Sequence, residues 1–283
     1  MVIFNKFFTI VILLFIFSCS KSEKVSIIQD DNIKEQMIAL YNEGYQEFLN
    51  GDTLYAAKKF GEAELIFPQS EWAPIAALMS AYVYYSDDYY SDAIFELKRY
   101  LKTYPTHKDI DYAYFLLAMC YYENIIDEKR DLKPLLESKK IFQLIIKRFP
   151  ATDFALDAKF KIDLINDQLA GKEMYLGRHY LKSKKWIPAI SRFKYVLENY
   201  DKTIYVEEAI HRLVETYFII GLEEESKKYA KLLGYNYNSS DWYRASYKVF
   251  NKDYNFDANK FEIKKNKKKF FKNFSDRFKK IIN

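Results

Sequence analysis

Hydrophobic positions follow two regimes along this chain. From Phe7 to Phe17 they form an apolar run of eleven residues broken only by Thr9. That is shorter than the roughly 20 apolar residues needed to span a bilayer. Beyond Cys19 charged residues dominate, and apolar and small residues return at helical spacing. In residues 39–68, Gly44, Ala56, Phe60, Ala63 and Pro68 stand 12, 4, 3 and 5 apart. The pattern restarts after Pro74, with Ala81, Tyr84, Ala93, Leu97 and Pro105 at matching offsets. A third set contains Ala118, Tyr121, Ser138, Phe142, Ile145 and Pro150, with an interior longer around "IIDEKRDLKP". Gly177, Tyr180, Ala189, Phe193 and Val196 form a fourth, and Val214, Tyr217, Ser226 and Ala230 a degenerate fifth. Between Thr152 and Lys182 only Gly171 interrupts the helical pattern, which predicts one unusually long helix there.

These offsets resemble the tetratricopeptide (TPR) signature, in which small residues let two helices cross closely and proline ends the second. The expected fold is all-α: a TPR solenoid of about five helix-turn-helix repeats, or about ten helices, over residues 35–250. Seven glycines and six prolines in 283 residues agree with long helices and short joints. Stacked repeats present a concave surface suited to extended peptides or partner domains. By TPR geometry the groove-facing positions are Tyr41, Tyr45 and Phe48 in the first repeat, and Leu78, Tyr82 and Tyr85 in the second. A row of tyrosines can stack on aromatic side chains and still hydrogen-bond a peptide backbone. The same rings can instead pack between repeats.

The amino terminus adds an anchor. Lys6 precedes the apolar run, as in a secretory signal peptide. "Ile16-Phe17-Ser18-Cys19" resembles a bacterial lipobox, from which Phe17 departs by its bulk. The resemblance implies a signal peptide over 1–18, an acylated Cys19 as first mature residue and a linker over 19–34. Two or three acyl chains give durable anchoring, at about 0.8 kcal/mol per buried CH₂. Ser20 after the cysteine resembles the outer-membrane sorting pattern. The alternative is a plain signal peptide with a chance cysteine. The only other cysteine, Cys120, lies in an apolar helical segment and reads as buried and inert. With Cys19 acylated, no intramolecular disulfide and no thiolate metal site can form.

Charge is placed unevenly. The net charge is +5, yet residues 260–283 carry nine Lys and Arg277 against Glu262 and Asp276. The body is therefore mildly acidic, which argues against a nucleic-acid partner. In the tail, residues 251–283, Phe270, Phe271, Phe274, Phe278, Ile281 and Ile282 trace one helical stripe opposite Lys and Arg. A basic amphipathic helix of this kind is expected to bind a membrane surface. No catalytic constellation emerges. His107, His179 and His211 fall in different repeats without ligand-like spacing, and His107 in "PTHKD" reads as a helix-start residue. Nothing implies an enzyme, a metal or a cofactor beyond the covalent lipid on Cys19.

Longer segments carry a closer resemblance. "FPQSEWAPIAALMSAYVYY" (67–85), "THKDIDYAYFLLAMCYY" (106–122), "LAGKEMYLGRHYLKSKKWIPAISRFKYVLENY" (169–200), "VEEAIHRLVETYF" (206–218) and "LLGYNYNSSDWYRASY" (232–247) resemble the BamD family, most of all its alphaproteobacterial branch. These are TPR lipoproteins of the outer-membrane β-barrel assembly (BAM) machine. The resemblance implies a non-enzymatic lipoprotein on the periplasmic face of the outer membrane, working beside other BAM lipoproteins. It implies that the N-terminal repeats receive C-terminal targeting segments of unfolded barrel proteins, and that Trp72 joins Tyr41, Tyr45, Tyr82 and Tyr85 there. It further implies that the C-terminal repeats contact a POTRA domain of BamA, with Arg192 in "AISRFKYV" pairing to a carboxylate and Arg178 and Arg212 as secondary candidates. The alternative is a periplasmic TPR scaffold for cell-envelope or division complexes. Such proteins often carry a coiled coil ahead of their repeats, whereas here only a short polar segment precedes them.

Overall fold

Where two helices must cross closely, the first question is what lies between their backbones. A computed structural model answers it for residues 27–124 and 132–250. The signal segment, Cys19 and the tail from residue 251 lie outside these described residues. Among the described residues there are eleven helices and no strand: α1 (Ile27–Asn50), α2 (Thr53–Ile66), α3 (Ala73–Ser86), α4 (Tyr90–Thr103), α5 (Ile110–Glu123), α6 (Lys133–Arg148), α7 (Asp153–Lys182), α8 (Trp186–Asn199), α9 (Val206–Ile219), α10 (Glu223–Asn236) and α11 (Asp241–Val249). The first ten form five sequential pairs, as the repeat predicts. The expected long helix is α7, with Gly171 buried within it. The extended inter-helix connection of the third repeat falls between α5 and α6, and residues 125–131 of it lie outside the described part.

Two turn types alternate. In the α1–α2, α3–α4, α7–α8 and α9–α10 pairs the first helix closes in a Schellman motif, where one residue takes a left-handed conformation so the next N–H can reach back five residues. Gly51 (φ 86°), Asp88 (φ 64°), Lys184 (φ 55°) and Gly221 (φ 83°) hold that position. The return bonds run from the N–H of Asp52 to the Glu47 carbonyl, Tyr89 to Tyr84, Lys185 to Tyr180 and Leu222 to Tyr217, at 2.8–3.0 Å. Glycine is at ease there, and a residue with a Cβ pays roughly 1 kcal/mol. Between pairs, an aromatic residue ends the second helix: Phe67, Tyr104, Phe149, Tyr200 or Tyr237. Its carbonyl accepts the N–H three residues on, from Ser70, His107, Thr152, Thr203 or Ser240. Proline follows the first three of these aromatics and cannot continue a helix. Side chains then start the next helices: Thr152 Oγ1 accepts from the Ala155 N–H at 3.3 Å, and Ser240 Oγ from that of Tyr243 at 3.1 Å.

The recurring small residues mark the close crossings. A Cβ on Gly44 would stand 3.2 Å from the Ala56 carbonyl, and one on Gly177 would fall 2.5 Å from the Phe193 ring. Where serine replaces alanine on the second helix, it bonds across the gap. Ser138 Oγ donates to the Ala118 carbonyl at 2.9 Å, and Ser226 Oγ to that of Val214 at 2.8 Å.

The chain divides into two units, Met1–Glu96 and Leu97–Asn283, with the boundary inside α4. In the first, Ala56, Ala57, Phe60 and Val83 form one buried cluster, and Met37, Ala63 and Ala76 another. In the second, Val206, Ile210 and Leu233 gather Trp242 and Tyr243, while Val214, Ala230 and Val249 gather Phe218 and Phe250. The short helix α11 thereby covers the apolar faces of α9 and α10. Cys120 is fully buried, and burial pushes its thiol pKa up to about 12. His107 sits just before α5 and shares a 2.8 Å hydrogen bond with the buried Tyr100 hydroxyl.

Two helical glycines separate packing from propensity. Gly61 has open space around its missing Cβ, so Gly61→Ala should raise stability by about 0.5–1 kcal/mol. Gly177→Leu should lower it by about 2–3 kcal/mol through overpacking against Phe193. Urea denaturation followed by circular dichroism measures both; equal shifts would show that the α7–α8 crossing is not tight.

Candidate functional site

Aromatic rings in the first unit and charged groups in the second are the two candidate surfaces, and each is built from helices packed as above. On α1, Tyr41, Tyr45 and Phe48 lie three or four residues apart and so share one side. They nevertheless meet different surroundings. Tyr41 packs edge-on against Phe60 (5.0 Å between centroids) and Trp72 (5.7 Å). Burial, and then the neighbouring Tyr45, raise its hydroxyl pKa. Phe48 meets Tyr82 of α3 at 6.0 Å, and Tyr85 tilts onto Tyr90 at 6.0 Å. Leu78 is buried. Tyr45 faces solvent with 44% of its surface exposed, as do Leu49 one turn on and Trp72 at the start of α3. Tyr41, Tyr82 and Tyr85 are thus partly buried among neighbouring rings, while Tyr45, Leu49 and Trp72 present the more open surface. Leu49 is absent from the groove positions read off the sequence because the repeat register skips it.

In the second unit the three arginines part company. Arg178 on α7 reaches across to α9, where its Nη1 donates to Glu208 Oε2 at 2.9 Å. Arg212 lies one turn beyond Glu208 and bonds it at 3.3 Å, while its Nη1 donates to Glu215 at 2.6 Å. Its guanidinium also stacks over the Trp242 ring at 5.2 Å. His211 Nδ1 shares a 2.8 Å hydrogen bond with Ser246 Oγ, and its Nε2 lies 3.4 Å from Glu215. Glu208, His211, Arg212 and Glu215 are all buried. Glu208 meets both arginines and Glu215 meets Arg212, so each of these buried carboxylates has a guanidinium against it. The network joins α7, α9 and α11.

Arg192 on α8 stands outside that network. Its Nη1 donates to Glu173 of α7 at 3.0 Å, and 41% of its side chain remains exposed. A second carboxylate can approach the open edge of the guanidinium, whose five donors are not exhausted by Glu173. Sequence reasoning missed Glu208 and Glu215 as partners. Their signal was present: Glu208, Arg212 and Glu215 fall at i, i+4 and i+7, one face of a helix.

Among the described residues no group of three or more His, Cys, Asp or Glu is placed to hold a metal ion, and no helix is long and apolar enough to cross a membrane. His179 on α7 is exposed and His211 buried, and neither lies near a cluster of that kind.

Comparison with known proteins follows the same extent of chain. Residues 33–232 match the model of the YfiO family, described as "Outer membrane lipoprotein". The chain is 42% identical over 229 residues to the outer membrane protein assembly factor BamD of Rickettsia prowazekii, covering 81% of this chain and 90% of that one. It is 38% identical over 231 residues to the protein of the same name from Caulobacter vibrioides, covering 82% and 75%. A more distant relative so named, from Neisseria meningitidis, is 28% identical over 224 residues, covering 76% and 82%.

The two kinds of arginine should separate by stability. Glu208→Ala leaves Arg178 and Arg212 short of a buried counter-charge and should cost about 3–5 kcal/mol. Arg192→Ala, removing a half-exposed pair, should cost less than about 1 kcal/mol. Urea unfolding of both variants checks this; similar losses would contradict the division.

Proposed function

The chain belongs to the YfiO family of outer membrane lipoproteins, and from that membership we propose that it works as an outer membrane protein assembly factor of the BamD kind. The observation that carries this reading is the 42% identity to the Rickettsia prowazekii factor over 90% of that protein's length. In this reading the chain is a non-enzymatic subunit. Acyl chains on Cys19 hold it to the periplasmic face of the outer membrane, and its work is recognition.

Its two surfaces divide that work. Tyr45, Leu49, Trp72 and the outer edges of Tyr82 and Tyr85 receive the C-terminal targeting segment of an unfolded barrel protein. Their solvent exposure supports this assignment, as does their chemistry: flat apolar faces stack on aromatic residues while hydroxyls bond the peptide backbone. Tyr41 takes part from beneath, by setting the position of Trp72. Arg192 pairs with a carboxylate of a BamA POTRA domain. The support here is a fork that is only half spent on Glu173 and lies where desolvation by a partner would strengthen a new pair. Arg178 and Arg212 act at one remove, by fixing α9 and α11 against α7.

Affinity purification of the chain from its own membranes tests the reading. BamA should copurify with the native protein, and Arg192→Glu should reduce its yield at least about fivefold, the ratio that 1 kcal/mol represents. Reversal at Lys58 or Lys140, in exposed pairs elsewhere, should leave the yield unchanged. Undiminished BamA with Arg192→Glu would remove the arginine assignment, and no BamA with the native chain would remove the whole reading.

A further inference from the structure

From Met174 to Leu197 the chain contains no Asp or Glu, yet it carries Arg178, Lys182, Lys184, Lys185, Arg192 and Lys194. Within the fold three of these charges have partners: Arg178 has Glu208, Arg192 has Glu173, and Lys194 lies against the Tyr217 ring. The remaining three, Lys182, Lys184 and Lys185, are all exposed in the α7–α8 turn and make no ion pair among the described residues. Lys184 also occupies the left-handed position of the Schellman motif, where the matching turns use Gly51, Asp88 and Gly221. Local preference works against a lysine there. A charged residue held in an unfavourable backbone conformation points to a use for the charge. Two residues after Lys185, Ile187 is 69% exposed.

We propose that the α7–α8 turn contacts an anionic phospholipid surface, with the three lysines among the phosphate headgroups and Ile187 in the interfacial layer. A lipid surface fits better than an acidic protein. Lysine offers a compact ammonium on a flexible stem, suited to a diffuse field of phosphates, whereas carboxylate docking favours the planar fork of arginine. Of the two arginines of this stretch, Arg178 is held by Glu208 and Arg192 lies on α8, outside the turn itself. An exposed aliphatic side chain beside a basic cluster adds an insertion contribution that an acidic protein surface would not use. The proposal rests on membership of a lipoprotein family only for the nearness of a membrane. It does not depend on the roles given to Arg192 or Tyr45.

Acetylation footprinting tests it on the full-length protein extracted from membranes and reconstituted into vesicles. With phosphatidylglycerol mixed into phosphatidylcholine, labelling of Lys182, Lys184 and Lys185 should fall about fivefold or more relative to phosphatidylcholine alone. Lys58 and Lys140 should label equally in both, and about 0.5 M salt should abolish the difference. Lys184→Gly should raise the thermal midpoint, by relieving the turn, while weakening the protection of Lys182 and Lys185 severalfold. A raised midpoint with unchanged protection would make Lys184 merely structural and overturn its role. Equal labelling in the two vesicle types, whether protected or not, would overturn the membrane contact. Protection of the three lysines in the detergent-solubilised assembly, with no vesicle present, would assign the turn to an acidic protein and overturn it likewise.

Discussion

Close crossing of the two helices in each pair is the constraint from which the rest follows. It requires a small residue on the first helix opposite a small residue or a flat ring on the second. Gly44 against Ala56, Ala118 against Ser138 and Gly177 beneath Phe193 meet it, while the last pair relaxes it, with Val214 opposite Ser226. Once backbones are that close, larger side chains have to leave the crossing. Some are buried in the helix packing, as Phe60 and Phe142 are without any exposure. Others turn outward, where packing no longer dictates their identity. Tyr45 and Arg192 are of this second kind, and the proposed function uses both for recognition, while the buried Arg212 holds helices together.

The charged network in the second unit shows the same division in electrostatic form. A nine-residue helix such as α11 is too short to be stable by itself. Its Trp242 lies against the Arg212 guanidinium and the His211 ring, and its Ser246 bonds His211. Glu208 joins the other side of this arrangement to α7 through Arg178. Buried ion pairs contribute little net stability over apolar packing. Their effect is directional, since the guanidinium and carboxylate geometries accept only one register of α7, α9 and α11. Arg192 lies on α8, next to this fixed assembly but outside it, so a partner can bind it without disturbing the network.

Much of the fold was legible in the sequence because the crossing constraint leaves a regular imprint. The small-residue offsets located each pair, the prolines at 68, 105 and 150 located joints, and the absence of breaks before Lys182 foretold α7 as a single helix. Helix α11 carries no small-residue register and was not foreseen. Nor was the pairing of Arg178 with Glu208, thirty residues apart, since contacts between helices depend on how the pairs stack. The groove positions were half legible. Spacing put Tyr41, Tyr45 and Phe48 on one side of α1, but only the three-dimensional arrangement separates the ring under Trp72 from the ring in solvent. The α7–α8 turn was legible in place but not in conformation, because its left-handed position holds Lys184 instead of a glycine.

The central claim is that two outward-facing residues of an otherwise inward-packed fold meet two different partners. Site-specific photo-crosslinking in living cells tests it most directly, with a photoreactive amino acid placed at Tyr45 and, separately, at Arg192. The account predicts that Tyr45 captures unfolded outer-membrane barrel proteins, that Arg192 captures BamA, and that neither captures the other's partner. BamA at Tyr45, barrel proteins at Arg192, or no adduct at either position would contradict it.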